Sequence, residues 1–182
     1  MGVAGAESRV RSLVDLTETI LIAVALALVI RAYVVGSFVV VGDSMNPNLY
    51  SGERVCVSRL TIARGGPERG DIVVFRYPLD PSRAFVKRVV GLPGDSMEIR
   101  GGRVLVNGSF LSESYSVIRD QSSLPAMRVP EGQVFVLGDN RPVSENSRFF
   151  GFVPLENLRG EVFLVYWPPS RMEWVGARAG GH

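Results

Sequence analysis

Phe-Val-Lys-Arg-Val-Val-Gly-Leu-Pro-Gly-Asp, residues Phe85–Asp95, is the point from which the rest of the chain can be placed. In an extended chain Phe85, Lys87 and Val89 share one face and Val86, Arg88 and Val90 the other, so the segment reads as a strand. Gly91-Leu92-Pro93-Gly94-Asp95 then ends it with turn residues. The strand also holds an outlier. Of the 20 basic residues 19 are arginine, and Lys87 is the one lysine. Arginine keeps its proton in a protein, whereas a buried lysine can become neutral and act as a base. The plainer alternative is a strand residue that escaped a bias towards arginine.

Outward from this strand the chain reads as short extended segments punctuated by Gly and Pro. Arg54–Leu60 alternates, and 63–70 is a Gly/Arg/Pro loop. Asp71–Tyr77 is an apolar strand ended by Pro78 and Pro81. Met97–Arg100 and Arg103–Val106 flank Gly101-Gly102, a hairpin signal, and Asn107-Gly108 makes the next turn. Leu111–Arg128 is Ser-rich with little periodicity and reads as an excursion or mobile loop within 96–132. Gln133–Leu137 and Glu161–Trp167 are further strands, the last stopped by Pro168-Pro169. Strands at this spacing predict an antiparallel all-β domain over 36–170, followed by a flexible tail at 171–182.

The N-terminal side differs in kind. Residues 1–12 are small and polar with Arg9 and Arg11, and 13–35 is the most apolar stretch. Its uncharged core, 19–30, is shorter than the roughly 20 residues of a spanning helix, which leaves a buried helix or a signal-peptide core open. Extended over 13–35 it is long enough, with Asp15, Glu18 and Arg31 near the ends and Tyr33 at headgroup depth. No small-x-small site closes the run, so the prediction is a retained single transmembrane helix. Arg9 and Arg11 then keep the N-terminus cytoplasmic and put the β-domain outside the cytoplasm.

Composition removes several classes of chemistry. The net charge of +2 comes from dispersed arginines without a basic block, which gives nucleic-acid binding no support. Cys56 is the only cysteine, so there is no internal disulfide and no paired-cysteine metal site. His182 is the only histidine and sits in a Gly-rich tail, which argues against a His-based triad or a His-ligated zinc. If the chain performs nucleophilic chemistry, its base is Lys87 or a carboxylate. No metal or organic cofactor is called for.

Two loops offer partners for Lys87. Ser37–Val41 runs into Gly42-Asp43-Ser44-Met45-Asn46-Pro47-Asn48-Leu49, which can present Ser44 at a chain corner, although an ordinary Asx or Ser turn explains the local pattern. Ser44 lies nine residues past Val35, hence no more than about 30 Å from a bilayer that ends there. Gly138–Gly151 packs Ser144, Ser147, Asn140, Asn146, Arg141 and Arg148 into one loop. It reads either as a well-bonded turn or as a polar scaffold in which Ser144 or Ser147 orients a neutral amine.

Taken together these stretches resemble the type I signal peptidases, membrane-anchored serine endopeptidases that remove signal peptides from exported proteins. The boxes occur in order: Gly42–Leu49, Arg69–Phe75, Lys87–Asp95 and Gly138–Arg148. The resemblance implies Ser44 as nucleophile, Lys87 as general base and the Ser44 N–H in the oxyanion hole. Ser144 would hydrogen-bond the Lys87 amine, and Asp139 and Arg148 would build the loop around it. It implies the family's coiled antiparallel β-fold, shared with repressor-type autoproteases, and shallow apolar pockets for small residues before the scissile bond. Its partners would be preprotein signal peptides, the lipid bilayer and the protein-export machinery, at the plasma or inner membrane.

The chain departs from the family pattern at three positions. Asn146 stands where Asp is common and Asn48 where Thr is common. Gly42 lacks the serine that in some members supplies a second oxyanion donor. With Asn146 uncharged, either the loop is braced more loosely through Arg148 or Glu145 supplies the carboxylate from next door. A self-cleaving Ser/Lys regulatory protease and a non-catalytic membrane-tethered β-domain are the other readings.

Overall fold

The computed structural model describes residues 15–28, 34–60 and 65–175. Residues 15–28 form a helix, α1. Its apolar side chains are exposed at successive positions, with Leu16, Ile20, Leu21, Ile22 and Leu28 each more than half accessible. Among the described residues no helix is long and apolar enough to cross a membrane. The predicted ends of the span at 13–14 and 29–33 lie outside the described residues, as does the N-terminus at 1–12. Val34 and Val35, assigned above to the end of that run, instead open strand β1 (Val34–Val39). A β-branched pair ahead of Gly36 suits an extended backbone better than a helix end.

The β-domain holds two sheets. Strands β2 (Arg54–Ser58), β3 (Ile72–Tyr77), β4 (Asp80–Gly91), β9 (Gln133–Leu137), β10 (Val153–Pro154), β11 (Leu158–Trp167) and β12 (Glu173–Trp174) join β1 in the larger one. Its order is β1-β2-β11-β3-β4-β9-β10, with β12 also pairing β11. The smaller sheet runs β7-β6-β5-β8, from β5 (Ser96–Arg100), β6 (Arg103–Val106), β7 (Ser109–Phe110) and β8 (Leu124–Arg128). The registered strand pairs are antiparallel, in line with the predicted all-β architecture.

Local sequence explains the elements that matter for the site. The unbroken apolar run of β3 is buried on both faces. Ile72 and Val74 enter one core cluster with Met45, Leu49 and Val57, while Val73 and Phe75 enter another with Val89, Val134 and Val136. Each such full burial of a valine or phenylalanine contributes about 1.5–3 kcal/mol. The β5–β6 reversal uses Gly101 and Gly102 at φ 54° and 76°, as its two-residue turn requires. Gly91 ends β4 where nothing larger fits: an added Cβ would lie 2.7 Å from Met97 Sδ and 2.9 Å from Phe135 Cβ.

Three expectations are corrected here. The segment 111–128 is not simply a mobile excursion, because its last residues form β8 against β5, and Ile118 bridges Asn140. Pro81 does not end the apolar strand; it lies inside β4, whose pairing with β3 continues to Asp80. The tail begins later than 171: Arg171 bonds Glu53 at 2.8 Å, and Glu173–Trp174 forms β12. For β8, Ile118 and Arg171 the ordering contact is distant in sequence, so no local periodicity announces it, whereas Pro81 is drawn into β4 by the neighbouring β3–β4 hairpin. Residues 176–182, His182 among them, lie outside the described residues.

Candidate active site

Strand alternation sends Lys87 and Arg88 to opposite sides of β4, and each finds one partner loop. The Lys87 amine lies 2.8 Å from Ser44 Oγ and donates to Val86 O at 2.9 Å. It is only 4% exposed, and the ring of Phe85 sits 5.2 Å from it. Burial pushes its pKa down to about 8, partly countered by the carboxylates of Glu145 and Asp139. A hydroxyl touching an amine that is half deprotonated near pH 8, well below the ordinary lysine range, is the pairing that base-assisted nucleophilic attack needs.

The corner carrying Ser44 is held from below and from the side. Met45 and Leu49 are fully buried in the core beneath it, and the Asn48 and Leu49 N–H groups both return to Met45 O, at 2.9 and 3.0 Å. Beside it, Ser44 O accepts the Asn140 N–H at 3.0 Å, and the Asn140 amide donates to Asp43 O at 3.1 Å. The loop after β9 can approach this closely because position 138 is glycine. A Cβ there would lie 2.2 Å from Ser144 Oγ and 2.4 Å from Ser44 O. Among the described residues no acceptor takes the Ser44 N–H. The Gly42 N–H, by contrast, donates to Ser51 Oγ at 3.2 Å.

On the other side of β4, Arg88 meets Asp139 through two parallel hydrogen bonds, Nε to Oδ1 at 2.8 Å and Nη2 to Oδ2 at 2.6 Å. Arg88 also donates to Gly70 O at 2.7 Å, and its guanidinium lies 3.8 Å from the centre of the Tyr115 ring. Asn48 completes the carboxylate's shell at 2.8 Å. Asp139 therefore ties β4, the Ser44 turn and the loop after β9 into one unit. Arg88 was not singled out in the sequence, although a Lys-Arg pair inside a strand implies two separately satisfied cations.

The supporting loop differs in detail from expectation. Ser144 is buried, but among the described residues its Oγ has no hydrogen-bond partner, so its predicted bond to Lys87 is not made. Ser147, the alternative, accepts from the Val136 N–H at 2.9 Å and serves β9 instead. Asn146 is fully buried and uses both ends of its amide. Its oxygen accepts from Arg148 N and Nε at 3.1 and 3.0 Å and caps helix α2 (Ser147–Phe150). Its nitrogen donates to Ser144 O at 2.9 Å, a bond that no carboxylate could make.

The charge that Arg148 needs comes from neither Asn146 nor Glu145. It is paired with Asp120, and it also donates to Ser122 Oγ at 2.8 Å and to Arg141 O. Arg141 in turn is paired with the buried Glu113. The 111–128 segment thus clamps the active-site loop with two ion pairs. Glu145 is engaged by Tyr77, whose hydroxyl donates to Oε1 at 2.6 Å.

Ser44 and Lys87 open onto a cleft of about 310 Å³, walled by Val39, Val41, Val55, Val74, Phe85 and Val143, with Asp43 and Glu145 also on its lining. Apolar walls around one hydroxyl and one buried amine suit a segment of small, uncharged residues.

Comparison with known proteins identifies the family. The family model described as "Signal peptidase, peptidase S26" matches residues 13–167. The probable signal peptidase I-1 of Synechocystis sp. is 39% identical over 165 residues, covering 87% of this chain and 84% of that protein. The signal peptidase I of Leptolyngbya laminosa is 38% identical over 167 residues, covering 87% and 82%. The signal peptidase IB of Staphylococcus aureus is 35% identical over 177 residues, covering 85% and 91%. A crystal structure of a signal peptidase I from Enterococcus faecalis aligns with TM-score 0.46 at 36% identity, covering 52% of this chain and 95% of that one. The chain belongs to the signal peptidase, peptidase S26 family of serine endopeptidases.

Proposed function

We propose that this chain is a membrane-anchored signal peptidase in which Ser44 is the nucleophile and Lys87 the general base. The observation that carries the reading is the 2.8 Å approach of a buried Lys87 amine to Ser44 Oγ at the floor of an apolar cleft. As Ser44 Oγ attacks the scissile carbonyl, its proton passes to the neutral Nζ; the ammonium then returns it to the departing amine. Water activated by the same amine releases the acyl group from Ser44. The Ser44 N–H, which has no acceptor among the described residues, is the donor for the developing oxyanion, and such a donor is worth about 3 kcal/mol. Gly42 has no hydroxyl to add, and its N–H is already engaged by Ser51.

The substrate follows from the walls. A preprotein bound with small side chains before the scissile bond fits between Val39, Val74 and Val143, and its own apolar surface finishes drying the Lys87 amine. Asp139 and Arg148 position the loop rather than react, since neither carboxylate nor guanidinium is left with free capacity towards the cleft. For anchoring, support comes from the apolar run 13–35 and from the exposed apolar side chains of α1. In this reading the N-terminus is cytoplasmic, the β-domain is extracytoplasmic, and the export machinery delivers the substrate.

The test is cleavage of a secretory preprotein by the full chain in detergent micelles, with the new N-terminus read by mass spectrometry. The expected result is a single cut directly after a small-x-small triplet, absent in Ser44→Ala protein. A cut elsewhere, or equal cutting by Ser44→Ala, would overturn the assignment.

A further inference from the structure

Tyr77 has no part in the reaction as derived so far, yet it is buried beside it. Its ring stacks on Phe85, with centroids 4.5 Å apart and 19° between planes, and meets Phe150 edge-on at 5.4 Å. Phe85 in turn lies beneath the Lys87 amine. The single polar atom of this aromatic column, the Tyr77 hydroxyl, donates to Glu145 Oε1 at 2.6 Å. Glu145 itself is exposed and lines the same cleft as Lys87 and Ser44.

A carboxylate on a flexible side chain that faces an amine across a cleft has a competing choice of partner. An ion pair with Lys87 would favour the ammonium form, and an ammonium cannot take the Ser44 proton. A short bond to a phenol that is itself locked by two ring contacts offers the carboxylate a fixed alternative. We infer that Tyr77 is a positioning residue, holding Glu145 on the rim of the cleft so that the Lys87 amine stays neutral and able to accept a proton. The inference rests on the Ser44–Lys87 reading above.

The other charges near the pair do not do this work. Asp139 acts on Lys87 from the end of β9, but Arg88 neutralises it through two hydrogen bonds. Asp43 lines the cleft from the Ser44 turn and is exposed. Arg83 lies over the Tyr77 and Phe85 rings, 5.4 and 5.0 Å from their centroids, and Asp80 acts on Tyr77 from the start of β4. Glu145 exerts the larger upward pull on the amine of the two carboxylates that affect it.

The experiment compares pH–rate profiles of the full chain on one preprotein for wild type, Tyr77→Phe, Glu145→Gln and the double variant. Tyr77→Phe keeps the ring stack and deletes only the hydroxyl. Its acid limb should move up by about one pH unit, which is roughly a tenfold loss at pH 7 that shrinks as pH rises. Adding Glu145→Gln should return the limb to the wild-type position or below. A Tyr77→Phe limb that superimposes on wild type would overturn the inference, as would a loss equal at every pH or one that Glu145→Gln fails to correct. Failure of the dyad itself shows differently: wild type would then have no acid limb, or Ser44→Ala would cleave as well as wild type.

Discussion

Lys87→Arg protein should fold and bind preprotein yet cleave it at least a thousandfold more slowly than wild type. Arginine is the demanding substitute because it preserves charge and length while removing the ability to become neutral. General-base assistance is worth about 10²–10⁴-fold, and loss of one member of a nucleophile–base unit disables the whole unit. Arginine at 87 also places a permanent cation where the wild-type amine is pulled down to about 8, with Ser44 Oγ 2.8 Å away. The measurement is single-turnover cleavage, with thermal unfolding to confirm the fold. Cleavage within tenfold of wild type would exclude Lys87 as the base.

Asp139→Ala should cost the most stability of any change around the site. The carboxylate is 1% exposed and its partner guanidinium 7%, so removal strands a buried cation. Breaking such a pair from one side costs about 3–5 kcal/mol, more than the pair itself contributes. For a domain of this size that is a fall in Tm on the order of 10 °C. Asn48 loses one of its two acceptors as well, keeping Ser116 O, and its tie from the Ser44 turn to the loop after β9 is cut. Asp139→Asn, which keeps one acceptor for Arg88, should lose less than half as much. A Tm within 2 °C of wild type for Asp139→Ala would mean that Arg88 finds water instead, an outcome its stacking on Tyr115 opposes.

Much of the strand framework was legible because its signals are local. β3, β5, β6 and β9 follow from alternation, apolar runs and the Gly-Gly turn, and their bounds moved by no more than a residue. Lys87 stood out by rarity and by its place on one face of a strand. The long-range pairings were not legible. Asp120 and Glu113 sit in a Ser-rich stretch without periodicity, and only the fold brings them to Arg148 and Arg141. For the same reason Glu145, near in sequence, stood as one of two ways to brace Arg148, whereas it bonds Tyr77, 68 residues away. The short β10, β12 and α2 are set by pairing and by the Asn146 cap rather than by composition. Ser144 was expected on the Lys87 amine, but that amine is already held by Ser44 Oγ and Val86 O.

The claim on which the rest depends is that burial brings the Lys87 amine down from the ordinary lysine range to a midpoint near 8, so that a working fraction is neutral near physiological pH. The chain contains no other lysine, so lysine labelled with 13C at Cε and incorporated into the full protein gives a single resonance with no assignment needed. Titrated by NMR, that resonance should show a midpoint near 8, because burial disfavours the ammonium; below the midpoint the amine is charged and idle, above it neutral and able to accept the Ser44 proton. A midpoint at the ordinary lysine value, near 10.4, would contradict the account.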